Sequence, residues 1–202
     1  MTIKIKYKIP EFSSERHSQL LGEHWTVLRE PKNLFSAIML SIPLMAINLF
    51  ITLVTINLFI PISLSIFGIN TAAISININF GAITVLIALV AIHELLHLVF
   101  IPGFRRSDKT YIGITYFGGF VYSEENISKM RYVLITIAPF IIISILLTIV
   151  LGSLSLLTPN LIFLILLNSM ASSVDILTLI LILYQVPSGS YITVNGMKSY
   201  WK

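Results

Sequence analysis

The sequence predicts an α-helical integral membrane protein with about four transmembrane helices and short β-hairpin-like loops. The chain of 202 residues is 56% hydrophobic and only 11% charged, and its mean hydropathy is +0.91. Soluble domains contain about 25% charged residues. No charged residue occurs between residues 33 and 92, and this stretch is much longer than a single span of about 20 residues. These observations exclude a soluble globular domain.

The first two predicted spans share this uncharged stretch. We place the first at residues 34–58 and the second at residues 82–101, where Pro102-Gly103 ends the helix. Between them, serine and asparagine alternate with isoleucine and leucine over residues 62–80. This period of two predicts a strand or hairpin, broken at Gly68-Ile69-Asn70, that lies at the interface or in a protein-lined cavity. A plain loop is the alternative.

The basic loop between the second and third spans, residues 102–131, contains two more alternating stretches. They cover residues 110–117 and 120–123, and Gly118-Gly119 lies between them. Alternation on both sides of a glycine pair predicts a β-hairpin hinged at the glycines.

Two further spans are predicted at residues 132–151 and 161–184, and Pro139 is expected to kink the third span. The N-terminal segment alternates like a short strand and then predicts a surface helix over residues 13–30, with Trp25 near the lipid headgroups. A weak strand signal follows at residues 191–194. The predicted division of the chain is an N-terminal tail 1–33, a membrane domain 34–184 and a C-terminal tail 185–202.

The basic residues predict the orientation of the chain. Four spans place the N-terminus, the 102–131 loop and the C-terminus on one side, and these segments contain all thirteen Lys and Arg residues. The positive-inside rule makes that side cytoplasmic. The net charge of +4 therefore indicates orientation against the lipid bilayer, with no nucleic acid as partner. The absence of cysteine excludes disulfides and thiolate ligands.

An H-E-x-x-H motif, formed by His93, Glu94 and His97, lies within the second span. Two imidazoles one helical turn apart can share a metal ion, and the glutamate beside the first can act on a bound water. Idle polar groups are costly inside a membrane, so this arrangement favours a functional site over two incidental core histidines. The ligand types indicate Zn²⁺, although another divalent metal could bind the same set.

Only two of the nine acidic residues, Glu94 and Asp175, fall inside the predicted spans. At a rise of about 1.5 Å per residue, Asp175 lies about 14 Å from the cytoplasmic end of its span and His93 about 12 Å from the end of its own. His93, His97 and Asp175 can therefore converge on one metal. A glutamate from the basic loop, Glu124 or Glu125, remains the alternative third ligand.

Asn168 lies seven residues before Asp175 and shares its helical face. Its amide could orient a substrate carbonyl or oxyanion, or orient a ligand. An ordinary interhelical hydrogen bond would use the same residue.

With these features together, the chain resembles the bacterial zincin peptidase family of membrane domains, which is itself similar to the site-2 protease class of intramembrane metalloproteases. The resemblance covers about residues 30–185. It is carried by His93-Glu94-Leu95-Leu96-His97, Tyr122-Ser123 before Arg131-Tyr132, Pro139, and the segment from Asn168 to Asp175.

This resemblance implies a zinc-dependent intramembrane endopeptidase in a bacterial cell membrane, with a membrane protein or peptide as substrate. Glu94 would activate water, and either alternating stretch could hold an unwound substrate segment by main-chain pairing. The alternative is a non-catalytic membrane protein with a structural metal, such as an accessory or immunity factor. A third hypothesis is an ion or proton transporter, but the absence of internal repeats disfavours this hypothesis.

Overall fold

A computed structural model describes residues 4–62, 69–70, 73–74, 80–115 and 118–202. Four helices in this part of the chain are long and apolar enough to cross a membrane: Leu34–Asn57, Ile83–Phe100, Lys129–Ser153 and Pro159–Gln185. The four predicted spans are thus confirmed as helices. The α-helices of the described residues are α1 (Ser14–Gly22), α2 (Leu34–Asn57), α3 (Phe80–Phe100), α4 (Lys129–Pro139), α5 (Leu147–Ser153), α6 (Pro159–Ala171) and α7 (Ser173–Gln185).

The strands are short and lie outside these helices. They are β1 (Lys4–Lys6), β2 (Thr26–Val27), β3 (Ile69–Asn70), β4 (Ala73–Ile74), β5 (Thr110–Thr115), β6 (Gly118–Ser123), β7 (Ile127–Ser128), β8 (Tyr191–Asn195) and β9 (Lys198–Trp201).

Helix α2 packs on the fourth hydrophobic helix through a buried polar stripe. Asn33 caps its first turn together with Ser36. Further along, Asn48 donates its amide N–H to the Ser169 carbonyl at 3.2 Å, and the Thr52 and Ser169 hydroxyls are hydrogen-bonded to each other at 2.8 Å. Small polar residues of this kind let membrane helices approach closely and bond across the interface.

One face of helix α3 is apolar and exposed, as is typical of a helix surface that contacts lipid. Ile92, Leu95 and Val99 are about half exposed, and their i, i+3, i+7 spacing puts them on one face. The same helix packs on α4 and β6. A membrane helix with polar residues is expected to turn them away from such an apolar face.

The third hydrophobic helix contains an irregular segment. After α4 ends at Pro139, residues Phe140–Leu146 form a π-helical stretch that leads into α5. Pro139 was expected to disturb this span, and the change of helical pairing begins directly after it. π-Helical turns inside α-helices are frequent at functional sites.

The hairpin predicted in the 102–131 loop is present as β5 and β6. The strands pair antiparallel, with Thr110 opposite Ser123 and Thr115 opposite Gly118. This register corrects the predicted hinge, because Gly118 and Gly119 belong to β6. Residues 116–117 lie outside the described residues.

The two predicted tails pair with the loop and with each other. Strand β1 adds to β5 in parallel, which gives the sheet order β1-β5-β6. The second sheet has the order β2-β9-β8-β7 and joins residues before α2, before α4 and after α7. We call these two sheets together with α1 the cap. Its pairing places the N-terminal segment, the loop and the C-terminal segment at the same end of the helices.

Two expectations for the N-terminal segment were wrong. The helix predicted over residues 13–30 covers only Ser14–Gly22, because His24 adopts a left-handed φ of 64° and turns the chain into β2. Trp25 is 7% exposed and packs with Leu20 and Tyr200 inside the cap, so it does not contact the headgroups there. A tryptophan indole can fill a protein core as well as an interface, and its sequence environment did not distinguish the two.

Polar contacts hold the cap together. Arg16 Nη1 contacts Glu124 Oε2 at 2.7 Å, and Asn195 clasps Ser13 through both its amide oxygen and its amide nitrogen. The Tyr122 hydroxyl donates to Glu124 Oε1 and accepts the Gly196 N–H at 3.0 Å. Burial raises the pKa of the Tyr122 hydroxyl, which keeps it a neutral donor.

The alternating stretch 62–80 is described only in part. Strands β3 and β4 pair antiparallel, with Ile69 opposite Ile74 and Asn70 opposite Ala73. The hairpin is therefore confirmed at residues 69–70 and 73–74, and Ile69-Asn70, where a break is predicted, forms a strand. Residues 63–68, 71–72 and 75–79 lie outside the described residues.

Candidate metal centre

Helices α3 and α7 bring three side chains together near the cap. His93 Nε2 lies 3.3 Å from Asp175 Oδ2, and His97 Nε2 lies 3.5 Å from Asp175 Oδ1. One ligand atom of each residue lies within 4.8 Å of the other two. The two imidazole rings meet edge to face, with centroids 5.0 Å apart. The predicted set His93, His97 and Asp175 thus converges from two helices that are distant in sequence.

In each histidine the other ring nitrogen, Nδ1, is hydrogen-bonded to an oxygen atom. His93 Nδ1 is 2.9 Å from the Asn168 side-chain oxygen, and His97 Nδ1 is 2.7 Å from the Ile135 carbonyl. A carbonyl oxygen can only accept, so each Nδ1 must donate its proton. In the neutral ring this leaves the lone pair on Nε2, the nitrogen that faces Asp175. Metal-ligating histidines are typically oriented in this way.

Asn168 is committed to this orienting network. It is 1% exposed, and its amide nitrogen donates to the Pro139 carbonyl at 3.1 Å and to the Ser144 hydroxyl at 2.9 Å. The Pro139 oxygen can only accept, which determines the amide orientation and turns the Asn168 oxygen to His93. Both amide protons have protein partners, so the geometry favours orientation of a ligand over contact with a substrate oxyanion.

The three facing atoms fit a cation. With Nδ1 as donor on both rings, two Nε2 lone pairs and a carboxylate converge, and Asp175 Oδ2 is buried without a hydrogen-bond partner. Converging acceptors are unfavourable at low dielectric unless a positive charge lies between them. Two imidazoles and one carboxylate are a donor set that catalytic zinc sites use.

Glu94 lies beside this group on α3 and lines the same cavity, of about 620 Å³. The cavity is bounded by α3, by the α6–α7 helix, by β6 and by the turn between β8 and β9. Strand β6 approaches Glu94 at Gly119, where a β-carbon would overlap Glu94 Cγ and lie 3.1 Å from Cδ and 3.2 Å from Oε1. A larger residue at this position would therefore displace the Glu94 side chain from its observed place.

The alternative third ligands are engaged elsewhere. Glu124 contacts Arg16 in the cap, and Glu125 Oε1 accepts from the Ser107 hydroxyl at 2.7 Å. Neither belongs to the group formed by the two histidines within the described residues. The geometry therefore favours Asp175 over both.

Several contributors to the site were not identified from the sequence. They are the Ile135 carbonyl, Ser144 and Gly119. A backbone carbonyl has no sequence signature, and Ser144 is one of many serines in the spans. In the sequence, Gly119 belongs to a glycine pair that predicts a turn and gives no sign of its contact with Glu94.

The four apolar helices are compatible with a multi-pass membrane protein, and the H-E-x-x-H motif with Asp175 forms a group that could hold a metal ion. The family described as "Putative zincin peptidase" matches residues 86–191, a range that includes the motif, the cap strands β5–β7 and Asp175. The chain belongs to this family, and membership indicates a zinc metallopeptidase. No curated protein and no solved structure gave a match.

Proposed function

We propose that the protein is a zinc-dependent intramembrane endopeptidase of a bacterial cell membrane, which cleaves a peptide bond in or near a membrane span. The observation that carries the proposal is the convergence of His93, His97 and Asp175 beside Glu94, inside a set of four apolar helices. We assign His93, His97 and Asp175 as metal ligands and Glu94 as the catalytic residue.

The residues of the site have different roles in the proposed peptide hydrolysis. His93, His97 and Asp175 would hold the zinc ion, which when bound would supply Lewis-acid chemistry to the scissile carbonyl and to a water molecule. Glu94 accepts the proton of the attacking water and passes it to the leaving amine. Asn168 and the Ile135 carbonyl orient the two histidines, and Gly119 leaves the Glu94 side chain its space.

Substrate would enter the cavity that α3 and the α6–α7 helix both line. Strand β6 lies at the edge of its sheet and lines this cavity over its whole length. An edge strand can pair with the main chain of an extended segment, which an unwound substrate helix would present. Charged or proline substitutions in β6 that leave cleavage untouched would contradict this pairing.

The orientation is part of the proposal. The cap combines both ends of the chain with the loop before α4, and these segments contain all thirteen Lys and Arg residues. By the positive-inside rule the cap faces the cytoplasm, and the site lies close to that membrane surface. The lipid bilayer and a membrane-bound substrate are the expected partners.

Metal removal tests the proposal directly. Protein purified in lipid nanodiscs is expected to contain about one zinc per chain and to cleave some members of a labelled set of single-span peptides. Chelation should abolish cleavage, and added zinc should restore it, because the water-activating site cannot form without the ion. Metal content by mass spectrometry and product peptides by chromatography are the measurements. Cleavage that persists in metal-free protein would contradict the proposal.

A second test concerns Gly119. Gly119→Ala places a methyl group against the Glu94 carboxylate and is expected to lower the cleavage rate by about 10–100-fold, because small displacements of a catalytic group are costly. Zinc affinity should remain unchanged, since the ligands are not touched. Gly22→Ala is the control, because a β-carbon there meets nothing within 4 Å. Equal rates for Gly119→Ala and wild type would remove Gly119 from the mechanism.

A further inference from the structure

The third hydrophobic helix supports both histidines through carbonyl oxygens near Pro139. His97 donates directly to the Ile135 carbonyl. His93 is supported indirectly, because Asn168 holds its ring and in turn donates to the Pro139 carbonyl. Both supports come from one turn of helix that ends at the proline.

The Ile135 carbonyl lacks its usual helical donor for a chemical reason. In an α-helix the carbonyl of residue i accepts the N–H of residue i+4, and for Ile135 that residue is Pro139. Proline has no N–H. The next residue, Phe140, gives its N–H to the Ile137 carbonyl, so the donor after the proline is used elsewhere. An acceptor at membrane depth is costly to leave without a donor, and the His97 Nδ1–H occupies the position at 2.7 Å.

We propose that Pro139 is a positioning residue of the metal centre. By removing the helix's own donor, it makes the Ile135 carbonyl the acceptor that determines the tautomer and the ring orientation of His97. His97 Nε2 is thereby turned to Asp175 as an unprotonated ligand atom. This inference rests on the proposed function, because it concerns how the zinc site of that enzyme is built.

The chain offers a matched control in α2. Pro43 also lies inside a hydrophobic helix, but it is exposed on the outside of the protein. If a proline acts only through the shape of a membrane helix, its replacement should change zinc affinity at both positions. If it acts by freeing a carbonyl for a metal ligand, only replacement of Pro139 should change zinc affinity.

Pro139→Ala restores an N–H that competes with His97 for the Ile135 carbonyl. We expect zinc affinity, measured by competition with a chromophoric chelator in nanodiscs, to fall by about 10–100-fold, the range for loss of an outer-shell partner. The thermal midpoint of the metal-free protein should stay the same or rise, because alanine favours the helix interior. Pro43→Ala should retain wild-type zinc affinity.

Nitrogen NMR of protein with ¹⁵N-labelled histidine provides the second measurement. In zinc-loaded wild type, His97 should have a protonated Nδ1 and a metal-bound Nε2. In Pro139→Ala the His97 Nδ1–H signal should change, while that of His93, which Asn168 still holds, should not.

Unchanged zinc affinity and an unchanged His97 signal in Pro139→Ala would overturn the inference, and so would an equal loss in Pro43→Ala. If Pro139→Ala does not fold, the NMR measurement on wild type still tests the inference. Zinc bound to His97 through Nδ1 would then overturn the inference. Wild-type protein that binds no zinc would instead contradict the proposed function.

Discussion

Replacing Glu94 with glutamine is expected to lower peptide cleavage by about 10²–10⁴-fold, the usual contribution of a general base. Glutamine has nearly the shape of glutamate but cannot accept the proton of the attacking water. Its side chain still fits beside Gly119, where the carboxylate has its space. The zinc content should stay at the wild-type level, because the two histidines and Asp175 do not depend on Glu94. Cleavage of labelled single-span peptides and metal content of the same nanodisc sample are the measurements.

Glu125→Gln is the matched control for this change. Glu125 accepts from Ser107 outside the metal centre, and a glutamine oxygen can accept the same bond. We expect wild-type cleavage from this variant. If Glu94→Gln retained full cleavage, Glu94 would not be the base. If it lost zinc together with activity, its role would be structural, as in a non-catalytic metal protein.

Replacing Asp175 with alanine is expected to reduce zinc affinity by more than about 100-fold, beyond the range typical for loss of an outer-shell partner. The variant removes the only carboxylate that faces both imidazoles in the described part of the chain. Two histidines alone leave a site with too few protein ligands for a catalytic zinc. Asp175→Asn keeps one oxygen but loses the charge, so an intermediate affinity is expected.

Thermal unfolding separates the loss of a ligand from damage to the fold. Zinc that binds only the folded state raises the unfolding midpoint of wild type, and Asp175→Ala should lose this rise. Metal-free wild type and metal-free variant are compared separately, because alanine also removes the contacts of the Asp175 carboxylate with His93 Nε2 and His97 Nε2. Glu124→Gln should retain the rise. If Glu124→Gln lost zinc while Asp175→Ala kept it, Glu124 would be the third ligand.

The metal centre could be predicted in part because its main signals are local or compositional. H-E-x-x-H is a helical spacing that can be read without a structure. Asp175 stood out because an acid inside a hydrophobic span is rare and needs a reason. Asn168 was placed on the same face as Asp175, but its partner could not be identified. His93 comes from another helix, and the choice between a substrate contact and an orienting bond depends on how the helices pack.

The cap was predicted less well, since its contacts join segments far apart in the chain. The β5–β6 hairpin followed from local alternation, whereas the turn was misplaced by the glycine pair in β6. Trp25 was assigned to the headgroups because its partner Tyr200 is 175 positions away in the sequence. Glycines have several roles, and the role of Gly119 is visible only when Glu94 lies against it.

The sequence by itself determined the number of hydrophobic helices, the grouping of basic residues in the two chain ends and the 102–131 loop, and the two histidines with their neighbouring acid. These properties depend on composition and helical spacing, which act within single segments. Only the tertiary structure decided that Asp175 faces both histidines, that Asn168 orients His93, and that the carbonyl four residues before Pro139 orients His97. Each of these depends on the distance between atoms of different helices, which packing sets and which no single segment contains.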